Sequence, residues 1–497
     1  MATPPLAARE TVSDTRFFGH PRGLATLFFT EMWERFSYYG MRAILILFMA
    51  APVSRGGLGF DAATAGVIYG LYTSMVYLIS VPGGWVADRI FGQRRAVLYG
   101  GILIILGQLS LGLPKLPFFY LGLGLLVAGT GLLKSNVSTI VGQLYAQGDV
   151  RRDAGFSIFY MGINLGAFIA PLAVGYVGQR INWNLGFMLA GFGMTIGVIQ
   201  YVLGRKYLGT AGLHPVPAET PEARAKVRRT ALLGMAVAVL LIGAPLILQA
   251  AGIIHITAAL IGGANGVLLL AVTVAVFGSL LASKEWTPLE RKRLIAVIAL
   301  FIASMLFWSA YEQAGSTLTL LADRSTDNSF FGIPFPSSWY QSLDAIYVIV
   351  FAPMFAYLWI RLGRYDPSTP LKFAIGLVLV GIGFAIIAIG AVRASAGIKI
   401  SPWWLFATYF VQVCGELCLS PVGLSVISQL APKKVAGLMM GVWFLSISLG
   451  DYIAGLFGSA YEKYSPQALF SIVAAITIVL GLILLLLVRS IKRLMAL

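Results

Sequence analysis

Glu31-Met32-Trp33-Glu34-Arg35-Phe36-Ser37-Tyr38-Tyr39-Gly40-Met41-Arg42 lies in the middle of an apolar run, residues 23–51. That run is long enough to cross a hydrocarbon core about 30 Å thick as a helix. Four charges inside such a span are admissible only if the helix turns them toward other protein or toward water. Steps of four, three and four place Glu31, Arg35, Tyr38 and Arg42 along one helical face, with Glu34 close beside it. A single helix cannot hide that face, so the stretch calls for a bundle of membrane helices. The bland alternative is an internal ladder of ion pairs serving stability alone, although buried ion pairs seldom stabilise more than apolar packing would.

The rest of the chain supplies the bundle. Of 497 residues, 58% are hydrophobic and only 11% charged, less than half the charge of a soluble globular protein. Apolar runs bounded by Gly, Pro and charge predict helices near 23–51, 62–87, 95–113, 117–140, 154–178, 184–204, 230–250, 257–283, 292–321, 339–361, 371–392, 402–430, 435–460 and 466–489. The expected fold is therefore all-α and polytopic, with 14 transmembrane helices. The first 22 residues are polar and carry prolines at 4, 5 and 21, without the short apolar core of a cleavable signal, so the first span is expected to direct insertion.

With 36 Lys+Arg against 20 Asp+Glu the formal charge is +16. The basic residues punctuate spans instead of gathering on a soluble face, so they report orientation and not a nucleic-acid partner. With both termini cytoplasmic, 26 basic residues fall in inside segments and seven outside: Arg55, Lys115, Arg180, Arg324, Arg393, Lys399 and Lys463. This satisfies the positive-inside rule for an even number of spans. Cys414 and Cys418 lie one turn apart in one apolar run, and His20, His214 and His255 fall in or beside loops. A disulfide framework is thereby excluded, and a Cys/His metal site is not expected.

A faint repeat divides the chain. Pro82 precedes Gly92 by ten residues, and Pro353 precedes Gly363 by ten, each at the inside end of the second span of a six-helix set. We expect a six-helix bundle over 1–204, a linker and inserted transmembrane hairpin over 205–291, and a second six-helix bundle over 292–497. The hairpin spans 230–250 and 257–283 carry no charge and are expected to pack or face lipid. Parallel halves about a midplane site form a transporter architecture.

Nine charges stand inside spans: Glu31, Glu34, Arg35, Arg42, Lys134, Glu312, Asp344, Glu416 and Asp451. Left unpaired they would cost on the order of 25 kcal/mol, which points to pairing, a wet cavity, or both. Lys134, in Gly129-Thr130-Gly131-Leu132-Leu133-Lys134, superficially matches a phosphate loop, but no Gly directly precedes it and the run is an apolar helix. It can serve with Arg42 as a cationic end for a substrate carboxylate, or pair with a first-helix glutamate. Glu416 stands alone in its span, where a substrate ammonium would change its protonation. The intramembrane cations belong to the first half, whereas Glu312, Asp344, Glu416 and Asp451 belong to the second. A zwitterion laid across the two halves would fit that field.

These residues resemble the proton-dependent oligopeptide transporters of the major facilitator superfamily, over nearly the whole chain. The resemblance rests on Glu31-x-x-Glu34-Arg35-Phe36-x-Tyr38-Tyr39-Gly40, Gly84-x-x-x-Asp88-Arg89, Phe159-Tyr160-Met161-Gly162-Ile163-Asn164-Leu165-Gly166, Tyr311-Glu312-Gln313 and Glu416-Leu417-Cys418-Leu419-Ser420-Pro421. The Gly-Asp-Arg loop marks only the superfamily; the first signature joined to the Glu416 segment is far more specific.

The resemblance implies two six-helix bundles with an extra helix pair, as in bacterial members, and import of di- and tripeptides with protons across the bacterial inner membrane. Glu31, Glu34, Arg35, Lys134 and Glu312 would couple protons. Arg42 and Lys134 would meet the peptide carboxylate, Asn164 and Glu416 the amino end, and Tyr38, Tyr72, Trp308, Ser420 and Trp443 would line the pocket. Glu312 would pair with Arg42 in the outward gate. Three departures follow. Gly70 replaces the helix-2 histidine of animal members, Asp344 takes a position where relatives commonly have Asn, and Asp323 is a candidate for the outer gate or a solvated loop acid. No cofactor is expected, a monomer is expected, and an enzyme is disfavoured because no metal, nucleotide or nucleophile constellation is present. The rival readings are a carrier of nitrate or an amino acid, and an ion channel.

Overall fold

The computed structural model describes residues 14–146, 149–215, 220–432 and 435–495. Arg9, Lys433 and Lys434, which enter the charge asymmetry above, lie outside the described residues. The chain is almost entirely helical, as a backbone in lipid must be to satisfy its own hydrogen bonds. The first set comprises α1 (Arg22–Ala50), α2 (Ala62–Val86), α3 (Gln93–Leu111), α4 (Leu116–Gln143), α5 (Arg152–Tyr176) and α6 (Trp183–Gly204). The hairpin is α7 (Pro221–Ala250) and α8 (Ala258–Ala282). The last set comprises α9 (Pro288–Tyr311), α10 (Thr317–Ser325), α11 (Gln341–Leu362), α12 (Thr369–Ser395), α13 (Trp403–Leu430), α14 (Ala436–Ser459) and α15 (Pro466–Met495). A two-residue pair, β1 (Ser329–Phe330) and β2 (Ile333–Pro334), folds antiparallel in the loop before α11, with Phe330 opposite Ile333.

Twelve of these segments are long and apolar enough to cross a membrane by length and composition, with α9 and α10 counted as one. Two further helices stand where the sequence predicts spans: α1, with Glu31, Glu34, Arg35 and Arg42 in its interior, and α7, whose first turns are polar and basic. Local signals set several boundaries. Asp61 Oδ1 accepts from Thr64 N at 2.7 Å to start α2, and Thr287 with Glu290 forms a reciprocal capping box at α9. Gly92 (φ +78°) and Gly363 (φ +49°), the two glycines of the repeat, both take the positive φ that only glycine adopts without strain.

One predicted helix is divided. In place of a continuous span over 292–321, α9 ends at Tyr311, a tight turn occupies Glu312–Gly315, and α10 resumes after Ser316 at φ −126°, ψ −91°. The cause is lateral: the Tyr69 hydroxyl and the Arg42 side chain pack directly on Gly315, where no Cβ fits. The hairpin begins nine residues earlier than predicted, at Pro221, and α15 runs on past 489 to Met495.

Two seams join the first and last sets. Along α2 and α14 the helices meet backbone to backbone: a Cβ on Gly70 would stand 2.6 Å from Gly455 Cα, and one on Gly66 would run into Gly458 and Ser459. Ser448 Oγ donates to the Ser74 carbonyl at 2.7 Å, and Tyr77 stacks on Phe444. Along α5 and α11, Trp339 Nε1 donates to Leu172 O (3.1 Å) and Ser342 Oγ to Phe168 O (2.8 Å). The buried residues of α11 stop at Val348, and Tyr160, two turns from Phe168 on α5, is 44% exposed. The two sets are therefore held together at the end carrying Ala50, Ala62 and Tyr176, and along α5 and α11 their packing thins toward the other end. The hairpin leans on the first seam, where Asn265 Nδ2 donates to Ser74 Oγ at 2.9 Å.

Small residues permit this approach, so Gly70→Val has a defined outcome. The α2–α14 seam cannot close around the added atoms, and thermal unfolding of the purified protein in detergent is expected to fall by several degrees, on the scale of the about 1–3 kcal/mol that overpacking costs. Gly263→Val, at a position where an added Cβ meets nothing within 4 Å, leaves the unfolding temperature unchanged in the same measurement.

Candidate functional site

The middle of α1 is a buried charge ladder. Arg35 Nε stands 3.2 Å from Glu31 Oε1 and donates a close hydrogen bond to Glu34 Oε2. Its guanidinium also lies over the Tyr38 ring, 5.1 Å from the centroid. Satisfaction is incomplete: Glu31 Oε2, Glu34 Oε1 and Arg35 Nη2 are buried without a hydrogen-bond partner. A ladder serving stability alone gains little from unmet polar atoms, each of which costs about 1–3 kcal/mol.

Lys134 on α4 lies within electrostatic reach of Glu31 and Glu34. Its ammonium sits 3.6 Å from the Tyr77 ring centroid, a cation–π contact. Of the two partners open to it on sequence grounds, the first-helix glutamates are near but none of the described carboxylates comes within ion-pair distance. Tyr77 holds the side chain at the cavity wall, a role the sequence did not disclose.

Two turns beyond Arg35, Arg42 crosses between the sets. Arg42 Nη2 pairs with Glu312 Oε2 at 2.5 Å, and Arg42 Nε donates to the Tyr69 hydroxyl at 2.6 Å. Glu312 reaches it because the break after Tyr311 ends α9 there. The expected Arg42–Glu312 contact is thus present, and Tyr69 is a second partner that sequence reasoning missed.

Nearby, a small polar lock closes the same end. Gln179 Nε2 donates to Ser337 Oγ (2.8 Å), Ser338 N to Gln179 Oε1 (2.9 Å), and Ser337 Oγ to Asp323 Oδ1 (2.9 Å). Asp323 therefore joins the closed end and is no isolated loop acid; Gln179 and Ser337 went unpredicted because neither belongs to a charged pattern.

On the opposite wall, the Tyr311 hydroxyl bridges two acids. It lies 2.6 Å from Glu416 Oε2 and makes a close hydrogen bond with Asp344 Oδ1. One hydroxyl carries one proton, so it donates to one carboxylate, and the second contact is a hydrogen bond only if that acid is protonated and donates in turn. Asp344 and Glu416 are thus brought together by a residue the sequence placed only in a motif. None of the described cations lies within 4 Å of either acid, so the dyad presents negative charge to the cavity.

The remaining residues form the walls. Tyr38 and Tyr72 stack with centroids 6.5 Å apart. Trp308 meets Tyr311 edge-on, backs onto Gly450, and leaves Nε1 buried without a partner. Trp443 packs against Gly423 and Phe373. Asn164 Nδ2 donates to the Tyr160 carbonyl of its own helix at 3.0 Å, and Ser420 Oγ is buried without a partner. Gly70, facing Gly455, is part of the helix seam and carries no relay. Among the described residues no group of three or more His, Cys, Asp and Glu could hold a metal ion.

Two helical sets sealed at one end around a cavity, cationic on one wall and acidic on the other, define a membrane transporter of the major facilitator fold. The chain belongs to the POT family, whose model matches residues 94–479. It is 43% identical over 490 residues to the uncharacterized transporter YclF of Bacillus subtilis, covering 98% of this chain and 97% of that one. It is 39% identical to a di-/tripeptide transporter of Lactococcus lactis subsp. cremoris, covering 97% and 98%. A crystal structure of the peptide transporter POT in complex with sulfate superimposes with a TM-score of 0.93 at 43% identity, over 99% of each chain.

Proposed function

We propose that this protein is a proton-coupled symporter that imports di- and tripeptides by alternating access. The observation that carries the reading is the opposition of charge across the cavity: Arg42 and Lys134 on one wall, Asp344 and Glu416 on the other. A peptide zwitterion with its carboxylate toward the first pair and its ammonium toward the second meets complementary charge at both ends. Asn164 and Ser420 offer polar contacts, and Tyr38, Tyr72, Trp308 and Trp443 flank the side chains. Because terminal and backbone groups are common to all short peptides, many side chains are tolerated.

Glu31, Glu34 and Glu312 are the proton-binding acids, with Arg35, Lys134 and Arg42 as the cations whose pairing a proton weakens. Coupling requires that proton and peptide each bind one conformation better than the other. Residues 1–204 and 292–497 are the two bodies that rock, and 205–291 is the linker and hairpin. In this assignment Arg42–Glu312 and the Asp323 lock form the outer gate, the conformation described is inward-facing, both termini are cytoplasmic, and a monomer in the bacterial inner membrane works without cofactor.

The relatives named above support the substrate class, and a competition assay tests it. Proteoliposomes holding the purified protein, with the pH lower outside, accumulate labelled dialanine. An excess of trialanine is expected to suppress the uptake at least about tenfold, in keeping with a shared site, whereas nitrate and free alanine leave it unchanged. Suppression by nitrate or free alanine alone overturns the peptide assignment. Accumulation beyond the outside concentration excludes an ion channel, whose conduction only equilibrates.

A further inference from the structure

Asp451 is the one intramembrane acid that the site above does not use, and its surroundings are unusual. It lies on α14 at 1% exposure, and both carboxyl oxygens are buried without a hydrogen-bond partner. Among the described residues no cation comes within ion-pair distance of it.

Its place on the helix explains the isolation. Ser448, Asp451 and Gly455 follow at steps of three and four, so they share the α14 face that meets α2. On that face Ser448 donates to the Ser74 carbonyl and Gly455 touches Gly70, while a Cβ on Gly70 would lie 3.3 Å from the Asp451 carbonyl. The acid is therefore pinned where two backbones touch and water is excluded. Glu312 at the end of α9, Arg42 of α1, Lys134 of α4, and Tyr69 and Tyr77 of α2 lie within electrostatic reach. Glu312 is already paired with Arg42, α8 contributes no titratable side chain, and no titratable group of α13 hydrogen-bonds the acid.

An ionised carboxylate with neither partner nor water is so costly that the group takes up a proton instead. We propose that Asp451 is a further proton-binding residue of the transport cycle: it holds a proton while the α2–α14 seam is sealed and gives it up to water when the seam parts. The proton moves between the Asp451 carboxyl and solvent at that end, and no other bond changes. By linkage, acid on that side favours sealing, and alkali favours parting, by up to about tenfold in the population ratio per pH unit for one proton. This residue gates closure, whereas the α1 ladder and Glu312 carry the coupled proton. The inference rests on the alternating-access reading only in requiring that the sealed end opens.

The test measures conformation directly. Spin labels are attached at Arg55→Cys and Lys463→Cys, both exposed at the sealed end, in a full-length background with Cys414→Ser and Cys418→Ser. Electron-electron distance distributions are recorded from acidic to alkaline pH in nanodiscs, first without peptide and then with added dialanine. The parent is expected to pass from a short to a long distance as pH rises. Asp451→Asn, which mimics the neutral acid in size and shape, is expected to lose one proton of that pH slope, about tenfold per pH unit, and to stay short into the alkaline range. Asp451→Glu, which keeps the titration, retains the slope and shows that the position tolerates change. Equal slopes in the parent and Asp451→Asn overturn the role of Asp451. A distance that moves with neither pH nor added dialanine in the parent overturns alternating access instead.

Discussion

Exchanging Glu31 and Glu34 together for Gln is expected to abolish uphill accumulation of dialanine while leaving peptide exchange between equal pH values measurable. One proton moving down a one-unit gradient supplies about 1.4 kcal/mol, enough for about tenfold accumulation. The parent should reach at least that ratio, and the double variant should stop at equilibration. The reason lies in the ladder of α1. Both acids contact Arg35, and each keeps an oxygen that is buried without a partner, so a proton can add there without displacing an existing hydrogen bond. Surviving exchange shows that the fold and the peptide pocket are intact. Full accumulation in the double variant would remove these acids from the coupling mechanism and leave Glu312 as the carrier of the proton.

The second large effect concerns the bond across the sealed end. Removing one partner of a buried ion pair strands the other and costs about 3–5 kcal/mol. Arg42→Ala leaves Glu312 opposite the Tyr69 hydroxyl and Gly315 with no cation in contact. Thermal unfolding in detergent is expected to fall by several degrees, and uptake to drop below detection. Arg42→Met combined with Glu312→Leu fills the same space without charge, so the melting temperature returns while uptake stays lost. If the apolar pair also restored uptake, Arg42–Glu312 would be a structural strut alone.

Much of this was legible in the chain itself, for identifiable reasons. Lipid permits few backbone solutions, so the apolar runs located the helices, and the energetic penalty on charge singled out Glu31, Arg42, Glu312, Asp344 and Glu416 before any geometry was known. What stayed hidden depends on contacts between distant segments. The break after Tyr311 answers Tyr69 and Arg42 pressing on Gly315, more than 240 residues upstream; the local sequence Glu312-Gln313-Ala314-Gly315 reads as continuing helix. Tyrosines 69, 77 and 311 are three of 21, and nothing in their neighbourhoods separates a hydroxyl that bridges two acids from one that faces lipid. Gln179 and Ser337 are ordinary polar residues near helix ends until α5 and α11 bring them together. Asp451 was visible as a charge in the wrong solvent, but only the touching backbones at Gly70 and Gly455 show why it has no companion.

The glycine line between α2 and α14 also has a mechanical meaning. Most helix pairs interlock like gear teeth, and sliding one past the other forces side chains over rotational barriers. At Gly66, Gly70, Gly455 and Gly458 there are no teeth, so the two surfaces can roll as a plain bearing does, with little friction from side-chain rearrangement. A carrier that must rock once for every peptide turns on such a bearing, and any methyl group added to it acts as a brake.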